Sequence, residues 1–401
     1  MKILFANKFF FRNGGSEVVM FQERDFVLAR GHEVVDFSMR DERNLQSGHA
    51  HFFVDRQDYR GGGMGGRLTS ALSFVHSPGA VRRIGALIDA TQPDLVHCHN
   101  IYHQLTPSII GAAKSRGVPV VLTLHDYKPV CPAYTRLHNG KPCSECLDGD
   151  FTQVLRRRCA EGSLGRSALL YAEATVQRWL GNYEMVDRFI APSGFMRDAA
   201  LRRFRPEQVA LLYNGVDTDG IEASGRDEGY VLYLGRLSRE KGIETLLRAH
   251  AAAQGSWPLV VAGTGPLADE FKAKYPAARF VGHVAGDVLG ETIAGAAAAV
   301  VPSEWFENCP MSVLEAMAHG KPVVGSRMGG IPELVADGRT GLLFAPGDVN
   351  ELKEKLDTLV ASPGLRQAMG SAARACVENK FSLARHNAGL MAIYRSVLDE
   401  A

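Results

Sequence analysis

The 401-residue sequence holds no uninterrupted apolar stretch long enough to cross a bilayer, so no membrane-spanning helix is expected. It has no excess of either charge. Its 45 Lys and Arg stand against 44 Asp and Glu, and a net charge of +1 gives no support for nucleic-acid binding. Cysteine is scarce and odd in number: seven thiols argue against a fully paired secreted framework, and cytoplasmic residence is the default expectation. The opening MKILFANKFFFRNGG has a lysine and a short apolar run but no long apolar core and no small-residue cleavage site. It reads as a first buried strand rather than a signal peptide. Several enzyme signatures are missing as well. After that strand the chain reads Asn13–Gly14–Gly15 instead of GxGxxG, and GxxxxGK(S/T) does not occur, which disfavours a dehydrogenase and a P-loop ATPase. Without HExxH or GxSxG, zinc-protease and serine-hydrolase chemistry have no support.

What is present is a long, glycine-rich α/β pattern. The length suggests two domains. A composition of 46% hydrophobic and 22% charged residues, with 42 Gly and 18 Pro, fits a folded chain full of tight turns. Residues 2–7 read as a strand, 16–30 as a helix capped by Ser16 and stopped at Gly31, and HEVVDFSM as the next strand: a βαβ unit. Strand and helix keep alternating through 80–90, 95–99, 104–116, 119–124, 166–180, 188–193, 194–204 and 211–213. Polar residues collect at the strand ends. The glycine-rich 41–70, with RGGGMGGR at 60–67, is expected to be a lid or a tolerated surface insertion, and 131–165 to be irregular. Residues 215–229 read as a linker. A second series follows, with strands at 230–234, 258–262, 278–281, 296–301, 323–324 and 341–344. Helices are expected at 243–252, 267–274, 348–361, 363–378 and 382–398, and between Glu307 and Glu315. The predicted fold is two doubly wound domains, 1–214 and 215–381.

In open parallel sheets ligands bind at the carboxyl ends of the strands, and the second series puts its polar motifs there. These are Gly235–Arg236 with Lys241, Gly263–Thr264–Gly265–Pro266, the segment from Ser303 through Glu307, Asn308, Cys309 and Pro310 to Glu315, and Gly329–Gly330. Arg236 and Lys241 are two positive charges suited to a diphosphate. Gly329–Gly330 can turn free N–H groups toward the same phosphates, and Glu315 can accept hydrogen bonds from a ribose diol. Together they read as a nucleoside-diphosphate site. If one helix joins the two glutamates, Glu307 sits at its mouth and Glu315 lies about 12 Å deeper.

In the first series His125 follows a strand and suits a positioned polar group or an acid–base residue. His97 and His99 share a face and are expected either to line a pocket or to make structural bonds. Cys131, Cys143, Cys146 and Cys159, spaced C-x11-C-x2-C-x12-C, are a candidate structural zinc site, with a disulfide or idle thiols as the alternatives. Residues 151–205 carry ten Arg against five acidic side chains. That is either a solvated face or a surface for anionic lipid.

Taken in order, these motifs resemble glycosyltransferase family 4, retaining enzymes of the GT-B fold. The likeness runs from Gly14–Gly15 through HDY at 125–127, NGVD at 214–217, GRLSREKG at 235–242 and GTGP at 263–266 to the Glu307–Glu315 pair and GGIPELV from 329. The resemblance implies two Rossmann-like domains facing across a cleft, with the acceptor on the first and the nucleotide-sugar donor on the second. By the same resemblance the helix from 382 to 401 is expected to pack back on the first. It further implies that Arg236 and Lys241 hold the diphosphate, Glu307 the donor sugar and Glu315 the ribose. The same resemblance places Gly14 and Gly15 against the phosphates and the transferred sugar, and His125 near the anomeric carbon. No catalytic metal is implied. The expected activity is hexosyl transfer from a UDP- or GDP-sugar to a glycan, lipid-linked or small-molecule acceptor, with peripheral membrane contact conceivable through the arginine-rich segment. The competing readings are a nucleotide-sugar epimerase and a non-catalytic sugar-nucleotide-binding protein.

Overall fold

A computed structural model describes residues 1–57, 71–221, 223 and 225–400; RGGGMGGR at 60–67 lies outside them. The chain divides into two compact units. Met1–His138, Cys143–Leu212 and the residues from Asn387 onward form one, and Asn139–Pro142 with Tyr213–His386 form the other.

The first unit is built on six parallel strands in the order β2-β1-β3-β4-β7-β8. These are β1 (Lys2–Ala6), β2 (Glu33–Phe37), β3 (Leu95–Cys98), β4 (Val120–Thr123), β7 (Arg188–Ala191) and β8 (Val209–Leu211). A two-residue pair, β5 (Leu137–His138) and β6 (Lys141–Pro142), lies between β4 and β7 in the chain. β3 and β4 are buried along their whole length, as apolar strands covered on both faces must be. Helix Gly15–Ala29 and the last helix, Leu383–Asp399, supply Met20, Phe21, Val27, Leu390, Met391, Tyr394 and Val397 to a core that also holds Ile3, Phe5, Leu95 and Ile190. Ser16 is not the cap. Helix Gly15–Ala29 starts one residue earlier, with Gly14 at the cap position and no side-chain cap bond.

The second unit has six parallel strands in the order β11-β10-β9-β12-β13-β14: β9 (Tyr230–Leu234), β10 (Leu259–Ala262), β11 (Arg279–Gly282), β12 (Ala296–Val301), β13 (Val323–Ser326) and β14 (Gly341–Phe344). Strand alternation divides its core into two. Val231, Tyr233, Leu259 and Val261 pack with Leu246, Leu247, Leu352 and Leu356. Leu232, Val260, Ala262 and Val301 pack with Val313, Leu314, Met317 and Val377. Helices on both faces of a parallel sheet make a doubly wound domain. Three expectations shift. The strand near 211–213 is Val209–Leu211, and an unforeseen helix, Gly286–Ala294, precedes β12. The 131–165 region, expected to be irregular, contains the helix Thr152–Arg156.

Candidate active site

In the second unit the chain leaves β9 to build β10 and β11 on one side, then returns to build β12 on the other. The switch point therefore lies between β9 and β12, where such sheets bind ligands. The loops that leave these two strands carry Arg236, Lys241 and Glu307. Lys241 Nζ bonds Glu307 Oε1 at 2.7 Å, and Ser303 Oγ donates to the same oxygen at 2.6 Å. Burial alone would raise the Glu307 carboxyl, but the Lys241 ammonium and the Ser303 hydroxyl bring it below its ordinary value. Lys241 also lies 4.8 Å from the centre of the Trp305 ring. Arg236 is exposed and takes no carboxylate partner among the described residues.

The neighbouring loops are tied to these by backbone bonds. Leu237 N–H donates to Thr264 O at 2.9 Å, Glu304 N–H to Glu240 O at 3.0 Å and Gly330 N–H to Glu307 O at 2.7 Å. Two glycines are required for this approach. Gly263 has φ +142°, and a Cβ there would lie 1.8 Å from Gly235 O; Gly329 has φ +58°, and its Cβ would lie 2.2 Å from Glu307 O. Gly265 packs in the same way against the Leu237 backbone. The expected free N–H at Gly330 is therefore spent on holding Glu307 in place.

The two glutamates do not share a helix. Helix Met311–Ala318 begins after Pro310, because proline has no N–H to give and suits the cap. Glu307 lies in the loop before it and is 6% exposed, while Glu315 is only half-buried. The expected order of depth is reversed. Burial pushes the Glu315 carboxyl up to about 7, and no ion pair or side-chain bond among the described residues offsets it. Asn308 adjoins Glu307, and the buried Cys309 offers its carbonyl to Asn214 Nδ2 at 2.9 Å.

In the first unit the switch point lies between β1 and β3. The loops after these strands meet: Lys8 N–H donates to Asn100 O at 2.8 Å, and Asn100 Nδ2 donates to Ser16 Oγ at 2.9 Å. Gly14 and Gly15 are exposed at the start of the adjoining helix. His125, half-buried after β4, has Nε2 2.8 Å from His99 Nδ1. His97 and His99 do not line an open pocket; they are 0% and 1% exposed. His97 bonds the Thr123 and Tyr394 hydroxyls at 2.8 and 2.7 Å. Behind both lies Glu23, fully buried and absent from the expected set. Its signal was its spacing: it stands three residues after Met20 and four before Val27, on the apolar stripe of its helix.

Cys131, Cys143, Cys146 and Cys159 are free thiols around one small cavity, which Arg136 also lines. Among the described residues no three of their sulfurs lie within 4.8 Å of one another. The arginine-rich segment is less charged than its composition suggests: Arg157, Arg166, Arg188, Arg202, Arg203 and Arg205 all pair with carboxylates. Among the described residues no helix is long and apolar enough to cross a membrane.

Residues 13–220 match Glycosyltransferase Family 4, and residues 218–375 match Glycosyl transferases group 1. The chain belongs to glycosyltransferase family 4. Among its relatives is sulfoquinovosyl transferase of Arabidopsis thaliana, 30% identical over 76% of this chain and 56% of that protein. Another is α-maltose-1-phosphate synthase of Mycolicibacterium smegmatis, 31% identical over 77% of this chain and 80% of that one. The family 4 chain thus spans little more than half the length of the plant relative. Its fold is GT-B. It aligns with the Anabaena HepE structure in complex with UDP-glucose at a TM-score of 0.69 and 18% identity, over 99% of this chain and 100% of that one.

Proposed function

We propose that this family 4 chain is a retaining glycosyltransferase. It moves a hexose from a UDP- or GDP-sugar to an acceptor hydroxyl on a glycan, a lipid-linked glycan or a small molecule, in polysaccharide or glycoconjugate synthesis. The observation that carries this reading is the Lys241–Glu307–Ser303 arrangement at the switch point of the second sheet, with Arg236, which pairs with no carboxylate among the described residues, on the same loop as Lys241. A diphosphate leaving group gains negative charge as its bond to the sugar breaks, and fixed cations stabilise that charge. Arg236 presents a guanidinium fork, and Lys241 has two further donors beyond the one given to Glu307. Glu307 is held ionised and is suited to accepting bonds from sugar hydroxyls. Glu315 is assigned to the ribose, and Gly235, Gly263 and Gly265 to the close backbone approach beside the phosphates. The UDP-glucose in the Anabaena structure supports a sugar nucleotide as co-substrate.

The second unit is assigned to the donor and the first to the acceptor. The hydroxyl attacks from the face that the diphosphate leaves, the departing phosphate takes the proton, and the α configuration is kept. His125 is assigned to the anomeric region and Gly14–Gly15 to the phosphates. No catalytic metal is required. The four cysteines are assigned to one structural zinc, supported by their lining one cavity as free thiols; ligation requires the sulfurs to draw closer together than they stand here. A lipid-linked acceptor at an anionic surface is supported by the exposed Trp179, Arg156 and Arg158. A panel of UDP-, GDP- and ADP-sugars tests the function. Transfer or slow donor hydrolysis supports it. Epimerised donor without transfer, or binding without any turnover, overturns it in favour of the competing readings.

A further inference from the structure

A cleft of about 730 Å³ opens on the first unit in the loop that follows β2. Arg40, Asp41, Leu45, Gln46 and Ala50 line it, together with the buried Phe53, which packs edge-on against Phe10 in the core of the unit. Its size falls in the range of roughly 300–1,000 Å³ that small-molecule sites occupy. The loop is bonded to the one that follows β1: Leu45 N–H donates to Phe10 O at 2.8 Å, and Ser38 Oγ to Lys8 O at 3.1 Å. The cleft therefore lies at the carboxyl end of the sheet, as Gly14–Gly15 do. β2 is the outermost strand, one beyond β1, so the cleft sits beside the switch point rather than in it.

The wall is held by its own bonds. Asn44 Nδ2 donates to Met39 O at 2.8 Å, and Ser47 Oγ to Asp36 Oδ2 at 2.7 Å, on a carboxylate whose other oxygen takes Arg24 Nε at 2.7 Å. The two charged residues of the lining are already engaged. Arg40 gives one terminal nitrogen to Asp55 at 3.0 Å and the other to His51 O at 3.3 Å. Asp41 takes Nε and Nη2 of Arg43 at 2.8 and 2.9 Å. An anionic ligand would have to pull Arg40 away from these partners. The groups left over are uncharged. Gln46 is exposed, and its amide makes no hydrogen bond among the described residues. Leu45 beside it is 51% exposed. An amide offers two donors and an acceptor to hydroxyl groups, and an apolar side chain suits the C–H face of a sugar ring.

We propose that this cleft is an acceptor subsite for an uncharged sugar other than the one that reacts. The acceptor is then a neutral glycan of at least two sugars, free or lipid-linked, rather than an anionic small molecule. The role as an acceptor subsite rests on the glycosyltransferase reading; the binding of a saccharide does not.

Saturation-transfer NMR on the full chain tests the binding. The probes are neutral trisaccharides of glucose, galactose, mannose and N-acetylglucosamine, with glucose 6-phosphate as the anionic comparison. At least one trisaccharide is expected to bind. Ala50→Trp, placed to fill the cleft, should abolish that binding. Gln46→Ala, which removes an exposed side chain with no bond to the protein, should weaken it about three- to tenfold. Melting curves check that both variants fold, and Gln46→Ala decides if Ala50→Trp does not. No binding of any trisaccharide, binding that survives the folded variants, or glucose 6-phosphate bound in their place overturns the subsite. In transfer to the trisaccharide that binds, Gln46→Ala should raise the acceptor KM by the same factor; a fall in kcat alone overturns the acceptor role. Trisaccharide binding at the cleft of a chain that turns over no donor refutes the glycosyltransferase reading and leaves the saccharide site standing.

Discussion

Glu315 offers a test in which stability and binding move in opposite directions. Its carboxyl sits on helix Met311–Ala318 between the buried Leu314 and Ala316, without a partner among the described residues, and burial pushes it up to about 7 from the ordinary 4.5. Because the folded value lies above the unfolded one, the folded state binds the proton more tightly. The neutral form is therefore the stable one, and stability is lost as pH rises from about 4.5 through 7. At about 1.4 kcal/mol per tenfold change in proton affinity, keeping this carboxylate ionised at pH 8 costs roughly 3 kcal/mol, an upper bound for a half-buried group. Glu315→Gln keeps the shape and removes the charge. At pH 8 it should raise the melting temperature of the second unit by up to about 6–12 °C, given ~2–4 °C per kcal/mol for a unit of this size. At pH 4 the difference should vanish. The same change removes the charged acceptor assigned to the ribose, and a hydrogen bond to a charged group contributes about 1.5–3 kcal/mol. UDP or GDP affinity should fall tenfold or more by calorimetry. The assay is a pair of thermal melts at pH 4 and pH 8 for each protein, with nucleotide titrations at pH 8. Identical melts at pH 8 refute the desolvation argument, and unchanged nucleotide affinity refutes the ribose assignment.

Three further outcomes are expected. Arg236→Ala and Glu307→Ala should each cut turnover by about a hundredfold or more in the transfer assay. Arg236→Ala should leave the melt unchanged because Arg236 is exposed, whereas Glu307→Ala should lower it by stranding Lys241; near-normal turnover in both removes the donor-site assignment. Gly263→Ala should destabilise by at least about 2 kcal/mol in denaturant unfolding, since the added Cβ meets Gly235 O at 1.8 Å with φ at +142°. Metal analysis of the purified chain should find one zinc, and Cys143→Ser with Cys146→Ser should lose it; a metal-free native protein rules the zinc out.

The parts of this molecule that were legible in the sequence are those where one residue's neighbours in the chain decide its environment. β3, β4 and β12 are buried on both faces, so they read as short unbroken apolar runs bounded by polar turns, and their positions are evident before any contact is known. Gly286–Ala294 was hidden because glycines at its first position and at 290 break its helical pattern, although the sheet on which Ile293 packs overrides that weak propensity. The spacing of Glu307 and Glu315 identified both residues but misjudged their setting. Two carboxylates eight positions apart look equivalent on paper, yet Pro310 starts the helix between them, and only one finds a lysine. That lysine arrives from another loop, 66 residues away in sequence, and the loop is brought there by a strand order that no local pattern encodes. The same holds for Glu23. Its place on an apolar stripe could be read from spacing, but the two histidines nearest its carboxylate come from β3 and the residue just after it, about 75 positions on. Candidate residues can thus be found by type and position, while their charge and proton state follow from partners that only the sheet topology supplies.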